Sequence, residues 1–435
     1  MKTNRKDKVV VGCFADDFTG ASDISSFFVK GGLNTILING IPNESFKIDK
    51  NVQAIVIALK SRSQEKNAAI EDSIKAYEYF KQNGCNKVYF KYCSTFDSTK
   101  EGNIGPVVDA ILEKYNIPYT VICPSLPVNG RTVKDGCLLV NGVPLHESHM
   151  KNHPVNPMWD CKIKTLMEDQ AKYKCHEISI NEIKDIKLFQ SKLSRVEKEE
   201  KHFYFVPEYY KDEHGQLIAS TFTNLPFITG GSGLAKFVSK EIQKEIQKEK
   251  PIHITEVTKY QVGTKGPAII LAGSCSKATR EQIKNFIDSG GEAIELDPLK
   301  IKEGKVSSEE IINKLSLNKE KTLLIHTTGN GVYQNQNENS NITQQEISFL
   351  LESKMADIAL KAVEIGVKRI ITAGGETSGA ITKALGFNSY LLSDSVSPGV
   401  PVMIPTDNKE IRIVLKSGNF GQPDFFNRVL EFTKL

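Results

Sequence analysis

Two adjacent carboxylates begin the run Ala15-Asp16-Asp17-Phe18-Thr19-Gly20-Ala21-Ser22-Asp23, directly after a short apolar stretch. Neighbouring acids face different directions, so one can enter a crevice. An ionised Asp there can hold a substrate hydroxyl or accept its proton as the oxygen attacks. Asp17 or Thr19 serves equally well as the cap of the following helix, and residue type leaves both roles open. A second cluster, Lys91-Tyr92-Cys93-Ser94-Thr95-Phe96-Asp97-Ser98-Thr99, also follows an apolar run and continues to Gly102-Asn103-Ile104-Gly105-Pro106. A lysine with five hydroxyl or acid groups suits a small polyol acid, although a Ser/Thr or Asx turn opening a helix would use the same residues. Ser61-Arg62-Ser63 sets a guanidinium at a strand end, where it can grip a carboxylate through two parallel hydrogen bonds. Asn129-Gly130-Arg131-Thr132, with Glu147, His149 and His153 downstream, adds groups that could close over a ligand.

The C-terminal half carries three glycine turns: Gly273-Ser274-Cys275-Ser276, Ala373-Gly374-Gly375-Glu376-Thr377-Ser378-Gly379, and Lys416-Ser417-Gly418-Asn419-Phe420-Gly421. Glycine lets backbone N–H groups approach an anion, and a helix N-terminus favours negative charge. Three such turns together point to a phosphate-rich ligand, though tight strand-to-helix turns use glycine in any case. The P-loop and dinucleotide fingerprints are absent from the sequence, as is the protein-kinase signature set. A nucleotide site here is therefore of another build.

These groups need a scaffold, and the apolar periodicity supplies one. Short β-rich runs at 9–14, 33–38, 52–59, 87–92 and 119–123 alternate with helical spacing at 22–30, 67–82 and 104–114. The alternation predicts a mostly parallel sheet with helices on both faces. Residues 129–157 read as a long loop with a short strand near Leu138–Val140, 181–202 as a charged surface helix, 226–233 as a strand entering a glycine turn, and 235–250 as a helix. No helical period spans 251–266, which puts a domain boundary there. Strands at 268–271, 293–296, 322–326 and 369–372 and helices at 277–288 and 344–365 then resume the alternation, with 335–341 a polar loop.

At 435 residues the chain has room for two or three domains. Lys and Arg (56) barely exceed Asp and Glu (52), leaving a formal charge of +4. That is no footprint of nucleic acid or of a membrane surface. No apolar stretch approaches the ~18 residues of a membrane span. The basic start soon reaches Asp16 and Asp17, unlike a signal peptide, so a cytoplasmic protein is expected. The eight cysteines (Cys13, Cys85, Cys93, Cys123, Cys137, Cys161, Cys175 and Cys275) form no C-x-x-C pair and are expected as free thiols. No protein metal site is expected.

In order along nearly the whole chain, FADDFTGASD, KYCSTFDST with EGNIGPV, NGRTV, TGGSGLA, GSCSKATR, AGGETSGA and LKSGNFG resemble the four-carbon acid sugar kinase family. KYCSTFDST, NGRTV, HESHMKNHPVNPM and KSGNFG make the chain most similar to its 3-oxo-tetronate kinase branch. The resemblance implies an acid-sugar-binding domain over 1–250 and a nucleotide-binding domain over 251–435, each α/β, with the active site in the interdomain cleft. It implies ATP-dependent phosphorylation of the 4-hydroxyl of a 3-oxo-tetronate, with Mg²⁺ held mainly by phosphates and water. Carried over by motif, the substrate contacts are Asp16, Asp17, Arg62, Lys91 and Asp97. The ATP contacts are Ser274 or Ser276, Gly374, Gly375, Glu376, Thr377 and Gly418. Asp17, then Asp16, is the expected catalytic base. Phe18 replaces a more usual Leu, and 201–220 matches no family motif; a lid edge or an oligomer contact is open for it, and a homodimer is compatible with the chain. A D-threonate or D-erythronate kinase, a non-catalytic acid-sugar sensor and a nicotinamide dehydrogenase are the competing readings. The intact glycine turns weigh against the sensor, and the missing dinucleotide fingerprint against the dehydrogenase.

Overall fold

Strands buried on both faces carry continuous apolar runs rather than alternating ones, and that pattern goes with parallel pairing under helices. The segment Ala54–Ala58, AIVIA, is of this kind, with every residue buried. The computed structural model describes residues 9–43, 45–152, 156–249, 260–316, 322–327 and 343–435. The chain divides into two units, Met1–Thr258 and Lys259–Leu435. The boundary expected after residue 250, the polar loop 335–341 and His153 lie outside the described residues.

In the first unit the strands are β1 (Val11–Ala15), β2 (Thr35–Asn39), β3 (Ala54–Ala58), β4 (Lys87–Lys91), β5 (Tyr119–Cys123), β6 (Arg131–Lys134), β7 (Cys137–Val140), β8 (Val143–Pro144), β9 (Cys175–Ile178), β10 (Phe203–Pro207) and β11 (Phe227–Gly230). The main sheet runs β2-β3-β1-β4-β11-β5-β10-β9, all neighbours parallel. Its register sets Ala58, Ala15, Lys91, Gly230 and Cys123 level with one another. The segments leaving those five residues therefore emerge at one edge, where ligands bind in open α/β sheets. Under it, Phe14 is buried and stacks on Phe90 with ring centroids 4.8 Å apart.

The helix after β1 begins at Phe18, a turn earlier than its spacing suggested, because Asp17 caps it through the Gly20 N–H at 2.8 Å. The expected loop over 129–157 is largely built. β6, β7 and β8 form an antiparallel sheet through two-residue turns at Asp135-Gly136 and Asn141-Gly142, all four residues at positive φ. Asp-Gly and Asn-Gly are the pairs such hairpins require. The segment 201–220 is integral to the sheet: Phe203–Pro207 is the buried strand β10, and Asp212–Phe222 is a helix. The charged stretch 181–202 splits into helices Ile180–Lys184 and Ile186–Glu199, since Asp185 caps the second. The free-thiol expectation fails at one pair: Cys137 and Cys161 form a disulfide, with Cα atoms 4.8 Å apart. The other six cysteines are free.

The second unit contains β12 (Ala268–Ala272), β13 (Glu292–Glu295), β14 (Leu323–His326), β15 (Arg369–Ala373), β16 (Ser389–Ser397), β17 (Val400–Pro405) and β18 (Arg412–Lys416). Within it the order is β13-β14-β12-β15-β18-β17-β16; the first five are parallel and the last two antiparallel. The β16–β17 hairpin was not visible in the periodicity. No described helix is long and apolar enough to cross a membrane.

Candidate active site

At the edge of the first sheet the backbone ladder continues past the strands. Asp16 N–H donates to Lys91 O at 2.9 Å, and Arg62 N–H to Asp16 O at 3.2 Å. Asn103 of the second motif donates its amide to Ser61 O (2.7 Å) and Gln64 O (2.9 Å), fixing the turn that carries Arg62. The side chains then converge on that guanidinium. Nε donates to Asp16 Oδ2 at 2.9 Å; Nη2 donates to Asp16 Oδ1 at 2.8 Å and to Asp17 Oδ1 at 2.9 Å; Nη1 lies 3.8 Å from Asp97 Oδ2. Burial works to lower the Arg62 pKa, but Asp16 and Asp17 outweigh it and keep the group charged. Burial raises the pKa of Asp16; Arg62 opposes that rise and Asp17 adds to it.

Both oxygens of Asp16 are spent on Arg62. Asp17 uses Oδ1 for its cap and for Arg62, while its second oxygen has no partner among the described residues. Asp97 Oδ1 accepts from the Asn156 amide at 2.6 Å. Asp97 follows Phe96, a buried non-glycine residue at φ 48°. That conformation costs on the order of 1–3 kcal/mol, and the Phe96 ring packs on Tyr92 with centroids 5.6 Å apart.

Lys91 is buried, donates to Tyr92 O at 2.8 Å and lies 3.7 Å from Asp23 Oδ2, which also accepts from Ser232 Oγ at 2.6 Å. Burial raises the Asp23 pKa against the pull of Lys91 and Ser232. A Cβ on Gly20 would stand 2.4 Å from Asp17 Oδ1 and 3.3 Å from Lys91 Nζ, so the acid and the amine meet over a residue with no side chain.

Asp16, Asp17, Arg62 and Asp97 thus form one network with Lys91 beside it. Glu147 and His149 are exposed. One group of potential ligand atoms stands close together among the described residues. Ligand atoms of His146, Asp160 and Cys161 lie within 4.8 Å of one another, but the Cys161 sulfur is bound to Cys137.

In the second unit β12, β15 and β18 are adjacent and level at Ala272, Ala373 and Lys416, so the three glycine turns leave one edge side by side. Their centre is the Gly418 carbonyl, which accepts from Ser276 Oγ (2.6 Å), Thr279 Oγ1 (2.9 Å) and Lys416 Nζ (2.9 Å). Ser276 also caps helix Lys277–Asp288, and Ser274 Oγ accepts from Ser276 N–H at 3.2 Å. The turns are too close for side chains. A Cβ on Gly273 would lie 2.0 Å from Thr377 Oγ1, and Gly374 adopts φ 123°. Gly375 and Glu376 open helix Gly375–Leu385 and are exposed. All seven sequence-predicted nucleotide residues lie on these turns. Thr279 and Lys416, which lock Gly418, were missed, although Lys416 adjoins the SGNFG turn. Burial brings the Lys416 pKa down to about 7. Convergent amides and hydroxyls at the ends of parallel strands can hold an anion without a dedicated cation.

Comparison with known proteins covers both units. A sugar-binding N-terminal domain is matched over residues 11–238, and a nucleotide-binding C-terminal domain over 269–426. The 3-oxo-tetronate kinase of Haemophilus influenzae is 38% identical over 426 residues, covering 96% of this chain and 98% of that one. The enzyme of the same name from Actinobacillus succinogenes is 37% identical over 96% and 98% of the two chains. A crystal structure from Salmonella typhimurium superposes with a TM-score of 0.82 at 35% identity, over 98% of this chain and all of its own (100%).

Proposed function

The chain belongs to the four-carbon acid sugar kinase family, with the 3-oxo-tetronate kinases as its relatives, and from that premise we propose that it transfers the γ-phosphoryl group of ATP to the 4-hydroxyl of a 3-oxo-tetronate. One observation carries the reading at the level of geometry: the chain holds an acid–guanidinium network at one parallel-sheet edge and three interlocked phosphate-type turns at another. Phosphoryl transfer asks for this pairing, a positioned hydroxyl and a neutralised phosphate chain, with little covalent work by the protein.

Asp17 is the base. Its unpartnered oxygen takes the proton of the 4-hydroxyl as that oxygen bonds to the γ-phosphorus, the bond to the β-phosphate oxygen breaks, and ADP leaves. Asp16 holds Arg62 in place through both oxygens and is a positioning residue. Lys91 and Asp97 bind the substrate's oxo and hydroxyl groups. Ser274, Ser276, Gly374, Gly375, Glu376, Thr377 and Gly418 receive the nucleotide. Mg²⁺ would neutralise phosphate charge there, held mainly through phosphate oxygens and water while the amides and hydroxyls of the turns hold the phosphates. Residues 1–250 are the acid-sugar half and 251–435 the nucleotide half. We place the protein in the cytoplasm, where ATP is supplied.

A coupled assay of ADP release over a panel of four-carbon acids tests this. Turnover is expected on a 3-oxo-tetronate, with D-threonate and D-erythronate slower. No turnover on any acid, together with no binding of ATP, overturns the kinase reading. Asp17→Asn should lower kcat by ~10²-fold or more; a loss confined to KM would make Asp17 a binding group only.

A further inference from the structure

Around Arg62 one guanidinium faces three carboxylates. Nε and Nη2 are spent on Asp16 and Asp17, and Nη1 lies 3.8 Å from Asp97 Oδ2, so a substrate carboxylate brought there meets a surplus of negative charge. The acid end of the substrate needs another cation.

Arg131 is that cation. It opens β6 and is tied back to the residues after β5: Leu126 N–H donates to Arg131 O at 2.9 Å and Arg131 N–H to Leu126 O at 3.1 Å. This pins it beyond the C-terminal end of β5, level with the ends of β1, β4 and β11. It is only 7% exposed. Nη1 donates to Asn129 O, but Nε is buried with no partner. An arginine stays charged throughout the physiological range, and a buried charge with an open donor is costly until an anion completes it. Unpartnered buried atoms lie on the segments that follow these strands: Ser125 Oγ after β5, and Ser22 Oγ and Asp23 Oδ1 on the helix Phe18–Lys30 after β1. Both serines are fully buried. Native interiors rarely leave such atoms unsatisfied, so a polar ligand is the natural partner. Burial lowers the Arg131 pKa, with the charges of Cys93 and Asp23 opposing it. Lys91 stands between Asp17 and Asp23, near the first across Gly20 and 3.7 Å from the second.

We propose that Arg131, with the hydroxyl of Ser125 next in the chain to its backbone partner Leu126, receives the carboxylate of the four-carbon acid and so selects acids over neutral sugars. The order Asp17, Lys91, Arg131 then matches the order 4-hydroxyl, 3-oxo group, carboxylate along the substrate. This orientation turns the acid end away from the three carboxylates at Arg62. The proposal rests on the kinase reading and assigns the end of the substrate that the reading leaves unplaced.

The test compares a 3-oxo-tetronate with erythrulose, the four-carbon ketose in which CH₂OH replaces the carboxylate. Wild type, Arg131→Gln and Arg131→Lys are measured, with ADP affinity as the check on folding. Arg131→Gln should raise KM for the acid ~10–100-fold, as loss of a charge-assisted pair implies, with kcat reduced much less. The acid-over-ketose preference in kcat/KM should fall by the same factor. Arg131→Lys should recover part of it. An unchanged KM for the acid, or equal losses on acid and ketose, overturns the assignment. Loss of ADP binding by Arg131→Gln would make Arg131 a structural residue and overturn it as well. Absence of all turnover in the wild type would instead overturn the kinase reading.

Discussion

Gly418→Ala strikes the nucleotide cradle where it is most crowded. The added Cβ would stand 2.3 Å from Ser274 Oγ, 3.2 Å from Ser276 Oγ and 3.3 Å from Ser274 Cβ. Ordinary contact lies beyond 3.4 Å, so the Ser274 hydroxyl must move by about 1 Å, well past what a packed turn absorbs. Ser274 is short and can rotate, but rotation surrenders the hydrogen bond it accepts from Ser276 N–H. One such bond is worth about 1 kcal/mol, so the fold survives and Tm should drop by only ~2–4 °C. The ligand loses more. Ser274 and the Gly418 turn would each contribute hydrogen bonds to charged phosphate oxygens at about 1.5–3 kcal/mol apiece. Losing the equivalent of two, at the lower end of that range, weakens ATP binding by ~10²-fold or more. Steady-state kinetics with each substrate varied in turn, and calorimetry with ADP, read this directly. KM for ATP should rise ~10²-fold while KM for the four-carbon acid stays within about twofold. An ATP KM within threefold of wild type, or parallel rises for both substrates, would refute the idea that these turns form the phosphate site.

Two further outcomes follow from burial. Glu352, on helix Gln344–Glu364, is pushed up to about 7 by burial first and by Glu376 second. A raised carboxyl pKa favours folding fully below the unfolded value near 4.5 and loses that contribution as pH climbs through 7. Glu352→Gln should therefore be more stable than wild type at pH 8 by about 1–2 kcal/mol, allowing for partial solvent screening, and the gap should close near pH 4.5 in urea titrations. Phe14→Ala removes a fully buried ring stacked on Phe90. It should cost about 3–5 kcal/mol, seen as a lower urea midpoint at unchanged slope.

The three glycine turns and the two acid-bearing turns were legible because each is a local event: an apolar run, then small or polar residues at the strand's end. The family resemblance set them in order. What the sequence hid is what distance along the chain hides. Asp16 and Arg62 are 46 residues apart, and only the folded chain shows Arg62 donating through Nε and Nη2 to Asp16 and Asp17. Buried β10 was masked by the charged helix before it and the tyrosines after it. The hairpins of β6, β7 and β8 were announced by Asp-Gly and Asn-Gly, but proline and histidine around them gave the stretch the composition of a loop. Arg131 stood in a recognised motif, yet its value depends on an orphaned nitrogen that only packing exposes.

The bond between Cys137 and Cys161 encloses the residues between them in a covalent ring, its ends 24 positions apart. Asn156 rides on that ring and reaches Asp97 from it. Closing a loop of this length beforehand removes about 3–4 kcal/mol of chain entropy from the unfolded state. The orientation of one acid of the network is thereby supported by a tether whose anchors lie outside the network. A backbone nick within the ring would leave both new ends attached to the same molecule.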